Sequence, residues 1–161
     1  MIRTARSHDI PAITNIYNQA IRARRCTCDL HEKNLADRTN WYQNHTETTP
    51  IFIYKQSGDV LGYAYLSAYR EGRPAVAAVA EVSFYVDFAA HGQGIGSALL
   101  SHAIETAKQL SYAHLLAIVI ESNTGSTALL RKYGFEEWGR LPGVVRIDDC
   151  CFSHLYFGLS L

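Results

Sequence analysis

The amino-acid sequence predicts an α/β fold with a mixed central sheet and helices on both faces, and three observations carry that expectation. Segments with apolar residues at helical spacing alternate with short β-branched and aromatic runs, so strands and helices are interleaved rather than grouped in separate blocks. The run Leu115 to Ile120 is apolar throughout, as a central strand covered on both faces must be. A strand-like run at 79–86 is followed by a short turn, glycines at every second position and then a long helical pattern.

In chain order, Ile2 to Ala5 forms a short first strand, and Ser7-His8-Asp9 offers capping side chains for a helix over 9–23. Its apolar face is Ile10, Ile13, Ile16, Tyr17 and Ala20. A polar, cysteine-bearing linker leads to a second helix over 34–45 that carries Leu35, Arg38, Trp41 and Tyr42. Residues 51–55 and 60–69 are two strands around the turn Gln56-Ser57-Gly58-Asp59. After a loop at 70–75, Val79 to Val86 is a strong strand, and Gly92 to Gly96 opens a helix with Ile95, Leu99, Leu100, Ala103, Ile104 and Ala107 on its apolar face. Ser126 to Tyr133 forms a short helix ended by Gly134, and two strands follow, around 144–148 and 152–159.

Composition narrows the function. With 48% hydrophobic and 19% charged residues among 161, the chain is expected to be one domain spanning 1–161, since a boundary would leave pieces too small for good cores. The formal charge is zero and basic residues cluster only at Arg22, Arg24 and Arg25, which argues against a nucleic-acid partner. No apolar segment follows Met1-Ile2-Arg3 and none reaches bilayer length, so a cytoplasmic protein with no membrane partner is expected. The cysteines, Cys26, Cys28, Cys150 and Cys151, form no C-x-x-C pair, and reduced thiols with no metal site are the expectation.

The glycine run His91-Gly92-Gln93-Gly94-Ile95-Gly96 holds the strongest chemical signal. A strand, a tight turn and a helix start direct backbone N–H groups and the positive end of a helix dipole at one spot, which suits a pyrophosphate, and side chains at Gly92, Gly94 and Gly96 would obstruct it. The spacing is neither the G-x-G-x-x-G of a dinucleotide fold nor a P-loop, which needs Gly-Lys-Ser/Thr. A glycine-rich connection with no ligand fits the same residues.

The chain resembles the GNAT acetyltransferase superfamily at this point, whose hallmark is Arg/Gln-x-x-Gly-x-Gly/Ala between a strand and a helix. His91 stands where Arg or Gln is usual. A second matching segment is Ile120-Glu121-Ser122-Asn123 followed by Leu129-Leu130-Arg131-Lys132-Tyr133-Gly134-Phe135. Within the superfamily nearly the whole chain is similar to the phosphinothricin and methionine-sulfoximine N-acetyltransferases, through Ile16-Tyr17-Asn18, Trp41-Tyr42, Gly62-Tyr63-Ala64 and Glu81-Val82-Ser83 ahead of Tyr85-Val86. The resemblance implies a GNAT fold, a homodimer, and acetyl-CoA lying against Phe84, Tyr85 and Val86. It further implies a pyrophosphate held by Gly92, Gln93, Gly94, Ile95, Gly96 and Ser97, with Asn123 reaching the cofactor's amide-bearing arm.

An amine attacks a thioester only when neutral, so a proton acceptor is needed. Glu81 is the only charged side chain between Pro74 and Val86, and burial on an apolar strand raises a carboxyl's pKa toward neutrality. The family's proposed general base stands at this position; a solvated Glu or a structural ion pair is the plainer alternative. Backbone N–H groups of Phe84 to Val86 would meet the oxyanion if the strand bulges there as in the superfamily. Many members place a Tyr where this chain has Leu130, and Tyr133 falls in a slot that is apolar in the family and is expected in the core. His91 fits a phosphate contact or a solvated turn equally. Arg70 and Arg73 fit either an acceptor-carboxylate clamp or ordinary surface positions.

The family's Tyr-Arg-His-Thr-like run before the base is replaced by Val76-Ala77-Ala78-Val79-Ala80, which implies a more apolar acceptor pocket. The leading expectation is acetylation of a small-molecule amine, an amino acid or its analogue. Acetylation of a protein N-terminus or lysine is an alternative, and a non-catalytic acetyl-CoA sensor is another. The apolar run Phe152 to Leu161, long for an exposed terminus, adds to the dimer expectation.

Overall fold

A computed structural model describes all 161 residues. The strands are β1 (Ile2–Thr4), β2 (Ile51–Gln56), β3 (Asp59–Ala68), β4 (Val79–Val86), β5 (His114–Ile120), β6 (Glu136–Ile147) and β7 (Cys150–Ser160); the helices are α1 (Ile10–Arg22), α2 (Leu35–Gln43), α3 (Ile95–Gln109) and α4 (Thr124–Lys132). They form one seven-stranded sheet in the order β1-β2-β3-β4-β5-β7-β6. Every neighbouring pair is antiparallel except β4 and β5. The mixed α/β architecture expected from the sequence is the one observed.

The two faces have separate cores. On one, Ile13, Ile16, Tyr17 and Ile21 of α1 pack against Ile51, Ile53 and Tyr63, with Trp41 and Tyr42 of α2 at the margin. On the other, the predicted stripe of α3 from Ile95 to Ala107 is buried against Phe52, Ala64, Leu66, Val82, Leu115 and Ala117, and α4 adds Leu130. Burial of those apolar side chains, about 1.5–3 kcal/mol each, holds helices and sheet together. Asn34 caps α2 by accepting from Asp37 N–H at 2.8 Å, and buried Asp9 ahead of α1 takes both Arg3 donors, at 2.7 and 2.9 Å.

Two expectations need correction at the C-terminal end. β6 begins at Glu136, not near 144; nearly every residue from 136 to 144 is exposed, so no apolar alternation marks the strand in the sequence. Pairing with β7 forms it, across register shifts at Glu137/Gly139 and Leu141/Val145. The apolar run at the end of the chain is not an exposed terminus: it is β7, between β5 and β6, with Leu155, Phe157 and Gly158 buried. The exposed large apolar side chains of this region are Trp138, Leu141 and Val144 on the edge strand β6.

Candidate active site

Beyond Glu81 the sheet opens. β4 and β5 pair only where Val79–Glu81 meets His114–Leu116, although both strands continue. β4 keeps its register with β3 without a shift from Ala68↔Ala80 to Gly62↔Val86. Tyr69 N–H donates to Val79 O at 3.3 Å and Asp87 N–H to Leu61 O at 2.9 Å, so the odd residues of β4 turn their peptide groups to β3. The even residues Val82, Phe84 and Val86 therefore turn theirs into the gap. The bulge expected at 84–86 is absent; divergence of β5 is what frees the N–H groups of Phe84 and Val86, while that of Tyr85 faces β3.

The turn after β4 is braced from two sides. Gln19 of α1 donates to Asp87 Oδ2 at 3.1 Å and accepts from Phe88 N–H at 2.9 Å. His91 Nε2 donates to Val86 O at 3.1 Å, which ties this ring to its own loop even though it also borders the cavity. Gly92 and Gly94 follow in the left-handed region, at φ 78° and 79°, and a Cβ on either would meet nothing within 4 Å. Gly96 differs: its Cβ would lie 3.2 Å from Leu129 Cδ2, so its lack of a side chain serves the packing of α3 on α4. None of the N–H groups from Gly92 to Ser97 donates to an acceptor in the chain. A row of free donors at a helix N-terminus is what a pyrophosphate needs.

These features line one cavity of about 430 Å³. Val82 to Val86 form one wall and Ala117 to Val119 of β5 the other; the end is closed by Gly92, Gly94, Ile95, Gly96 and Ser97, and by Asn123, Gly125, Ser126 and Leu129 at the start of α4. Of the residues expected to contact acetyl-CoA, only Gln93 is outside the lining. Asn123 is within it, but its Oδ1 accepts from Ser126 N–H at 3.2 Å as the cap of α4, which leaves the side-chain NH₂ for a ligand. The β5 wall, Ser83, Cys26 and the first residues of α4 were not assigned to the cofactor from sequence. Only the α4 residues had a signal, their adjacency to Asn123.

Leu130 is fully buried in the main core, and Tyr133 donates from its hydroxyl to Ser97 O at 3.0 Å, which locks α4 to the first turn of α3. Leu130 has no proton to give, and Tyr133 does not line the cavity, so it is not placed as an acid for the leaving thiolate. Glu81 lies just outside the cavity, on the α1/α2 face with Ser83 and opposite Ser67 of β3. It is half-buried and makes no ion pair or hydrogen bond within the chain, and burial raises its carboxyl above the usual range. Arg70 and Arg73 are exposed on the β3–β4 loop and do not line this cavity, so the structure does not bring the two arginines to the site. No group of three or more His, Cys, Asp or Glu side chains is close enough to hold a metal ion.

Comparison with known proteins agrees with this geometry. Residues 10–135 match the model of the acetyltransferase (GNAT) family. The protein YwnH of Bacillus subtilis (strain 168) is 36% identical over 161 residues, spanning 99% of this chain and 98% of that one. The L-methionine sulfoximine/L-methionine sulfone acetyltransferase of Pseudomonas aeruginosa is 33% identical over 147 residues, 89% of this chain and 84% of that one. The crystal structure of a GNAT superfamily phosphinothricin acetyltransferase from Sinorhizobium meliloti, in complex with acetyl-CoA, superposes with a TM-score of 0.94 at 28% identity, covering 100% of this chain and 88% of that one. A family match over most of the chain, joined to likeness along its full length, establishes that this protein belongs to the acetyltransferase (GNAT) family.

Proposed function

We propose that the chain is an N-acetyltransferase that moves the acetyl group of acetyl-CoA to the amine of an amino acid or amino-acid analogue, as one catalytic domain over residues 1–161. The observation that carries this reading is the row of unbonded N–H groups from Gly92 to Ser97 at the end of the gap between β4 and β5. The pyrophosphate sits on that row, and the pantetheine arm runs along β4, where the even residues offer peptide groups. The thioester oxygen takes the N–H of Phe84 or Val86 as charge develops on it.

Glu81 accepts the proton of the incoming ammonium. Its carboxylate lies beside the cavity rather than in it, so transfer through a water is the fitting route. The neutral nitrogen then attacks the acetyl carbon, the C–S bond breaks, and CoA leaves as a thiolate that takes up the nitrogen's second proton. A thiol of pKa about 8.5 leaves without a dedicated acid, in keeping with the burial of Leu130. Glu81 has no ion pair to hold it as a structural charge, which favours catalysis over a silent acetyl-CoA sensor.

The test is to supply acetyl-CoA with L-amino acids, methionine sulfone, polyamines and peptides, and to quantify N-acetyl product by mass. Acetylation of free amino acids ahead of peptides is expected. Preference for peptides would move the assignment to protein acetylation, and no product with any amine would overturn the enzyme. A cytoplasmic homodimer completes the proposal. The four free thiols fit a reducing compartment, and Trp138, Leu141 and Val144 on edge strand β6 offer an apolar surface for a second copy.

A further inference from the structure

On the α1/α2 face of the sheet a second cavity, of about 580 Å³, is bordered by α1, the linker before α2, α2 itself and Tyr65 of β3. Its charges are unevenly matched. Lys33 Nζ is 3.1 Å from Asp29 Oδ1, and Asp29 Oδ2 accepts from the Tyr17 hydroxyl at 2.6 Å. Asp37 is engaged at the start of α2, where it accepts from Asn34 N–H at 3.4 Å. Arg38 has Asp29 near enough to feel its charge but not in contact, and no carboxylate is bonded to it. It is only 6% exposed, makes no ion pair, and its Nε is buried with no acceptor. Its one hydrogen bond runs from Nη2 to the Tyr63 hydroxyl at 3.3 Å.

A guanidinium cannot shed its proton, so burial leaves it charged and short of the water it would otherwise bind. The rings of Trp41 and Tyr17, with centroids 3.6 and 4.6 Å from Cζ, offset part of that loss. Such rings satisfy its faces, not its edge of N–H donors. The group that matches a free guanidinium edge is a carboxylate, which accepts two parallel bonds.

The cavity also adjoins the reaction. Tyr65, in its lining, is paired across β3 and β4 with Ser83, which lines the acetyl-CoA cavity, and the next residue on that face, Ser67, is paired with Glu81. The rings of Tyr17 and Tyr85 meet edge to face at 5.1 Å and bridge the two cavities. We propose that Arg38 is the specificity-determining residue for the acceptor, binding a carboxylate of the amine substrate while its nitrogen faces Glu81. This rests on the acetyltransferase reading above.

Two matched sets of amines test it and separate the α-carboxylate from a side-chain carboxylate as the bound group. One is L-glutamate, γ-aminobutyrate, L-norvaline and n-butylamine; the other is L-methionine sulfone and its decarboxylated amine, 3-(methylsulfonyl)propylamine. In the wild type, loss of the recognised carboxylate should lower kcat/KM by about 10²-fold or more. In Arg38→Met that discrimination should vanish through a raised KM for the carboxylated amines, with calorimetric affinity for acetyl-CoA unchanged. Arg38→Lys keeps charge without the fork and should retain part of it, which serves if the methionine variant does not fold. A wild type indifferent to carboxylates, or Arg38 variants that discriminate as well as the wild type, would overturn the assignment to Arg38 while leaving the acetyltransferase standing. Absence of CoA release with every amine would instead remove the reading on which it rests.

Discussion

Glu81 is a carboxylate that burial holds above its ordinary pKa with no cation to draw it down, and two measurements follow from that state. As a base it must be ionised, so kcat/KM should rise with pH through its raised pKa. Glu81→Gln should lower kcat/KM by about 10²- to 10⁴-fold near neutrality, with the loss shrinking at high pH and acetyl-CoA affinity intact. The stability effect has the opposite sign. A raised folded-state pKa means that the fold favours the protonated acid; that advantage is present below the unfolded value, about 4.3, and is lost as pH rises through the folded one. Glu81→Gln should therefore melt at a higher temperature than the wild type at pH 8, with the difference gone at pH 4. A drop in Tm at pH 8 would mean that Glu81 is a structural support. Glu81 was legible in the sequence because one charge in an apolar strand is conspicuous. Arg38 was not, because Leu-Ala-Asp-Arg-Thr-Asn-Trp-Tyr-Gln has no apolar rhythm to show which side of α2 is buried, and only packing against Tyr17, Trp41 and Tyr63 encloses the guanidinium.

Among the elements, the turn between β4 and α3 carries the clearest prediction. Gly94 is the residue before α3, at φ 79°, with open space where a Cβ would go. Gly94→Val costs about 1–2 kcal/mol of backbone strain and adds bulk at a residue that lines the cavity. Acetyl-CoA affinity should fall by at least about tenfold, since phosphate contacts of roughly 1.5 kcal/mol or more are lost. Gly58→Val, at φ 98° in the β2–β3 turn, is the control for strain away from the site and should leave affinity unchanged. Equal affinity in both variants by calorimetry would place the pyrophosphate elsewhere. The strand, the turn and the helix were all readable in sequence, because local spacing encodes each of them. The separation of β4 from β5 was not, since it is a relation between segments far apart in the chain and neither carries a residue type that announces it. The same holds for 136–143 of β6, whose side chains are exposed whether or not the backbone is paired.

In the whole molecule, the alternation of helices and strands was enough to give the layered fold, whereas the placement of the last strand inside the sheet needed the structure. That placement moves the expected dimer contact from the end of the chain to β6. Sedimentation at micromolar concentration should give the mass of two chains, and Leu141→Asp with Val144→Asp should shift it to one; a monomer in the wild type would end the dimer proposal. The seam between β4 and β5 also sets a rhythm in time. Two parallel strands in the middle of a sheet that share only their first few pairs leave the amides of Phe84 and Val86 bare to water, while that of Tyr85 between them is held by β3. Amide hydrogens of Phe84 and Val86 should therefore exchange fast and that of Tyr85 slowly, along one continuous strand. An acetyl-CoA arm lying in the seam would act as the missing strand, slowing the even amides and leaving the odd one nearly as it was. Protection that rose equally at all three residues would mean that the arm does not lie there.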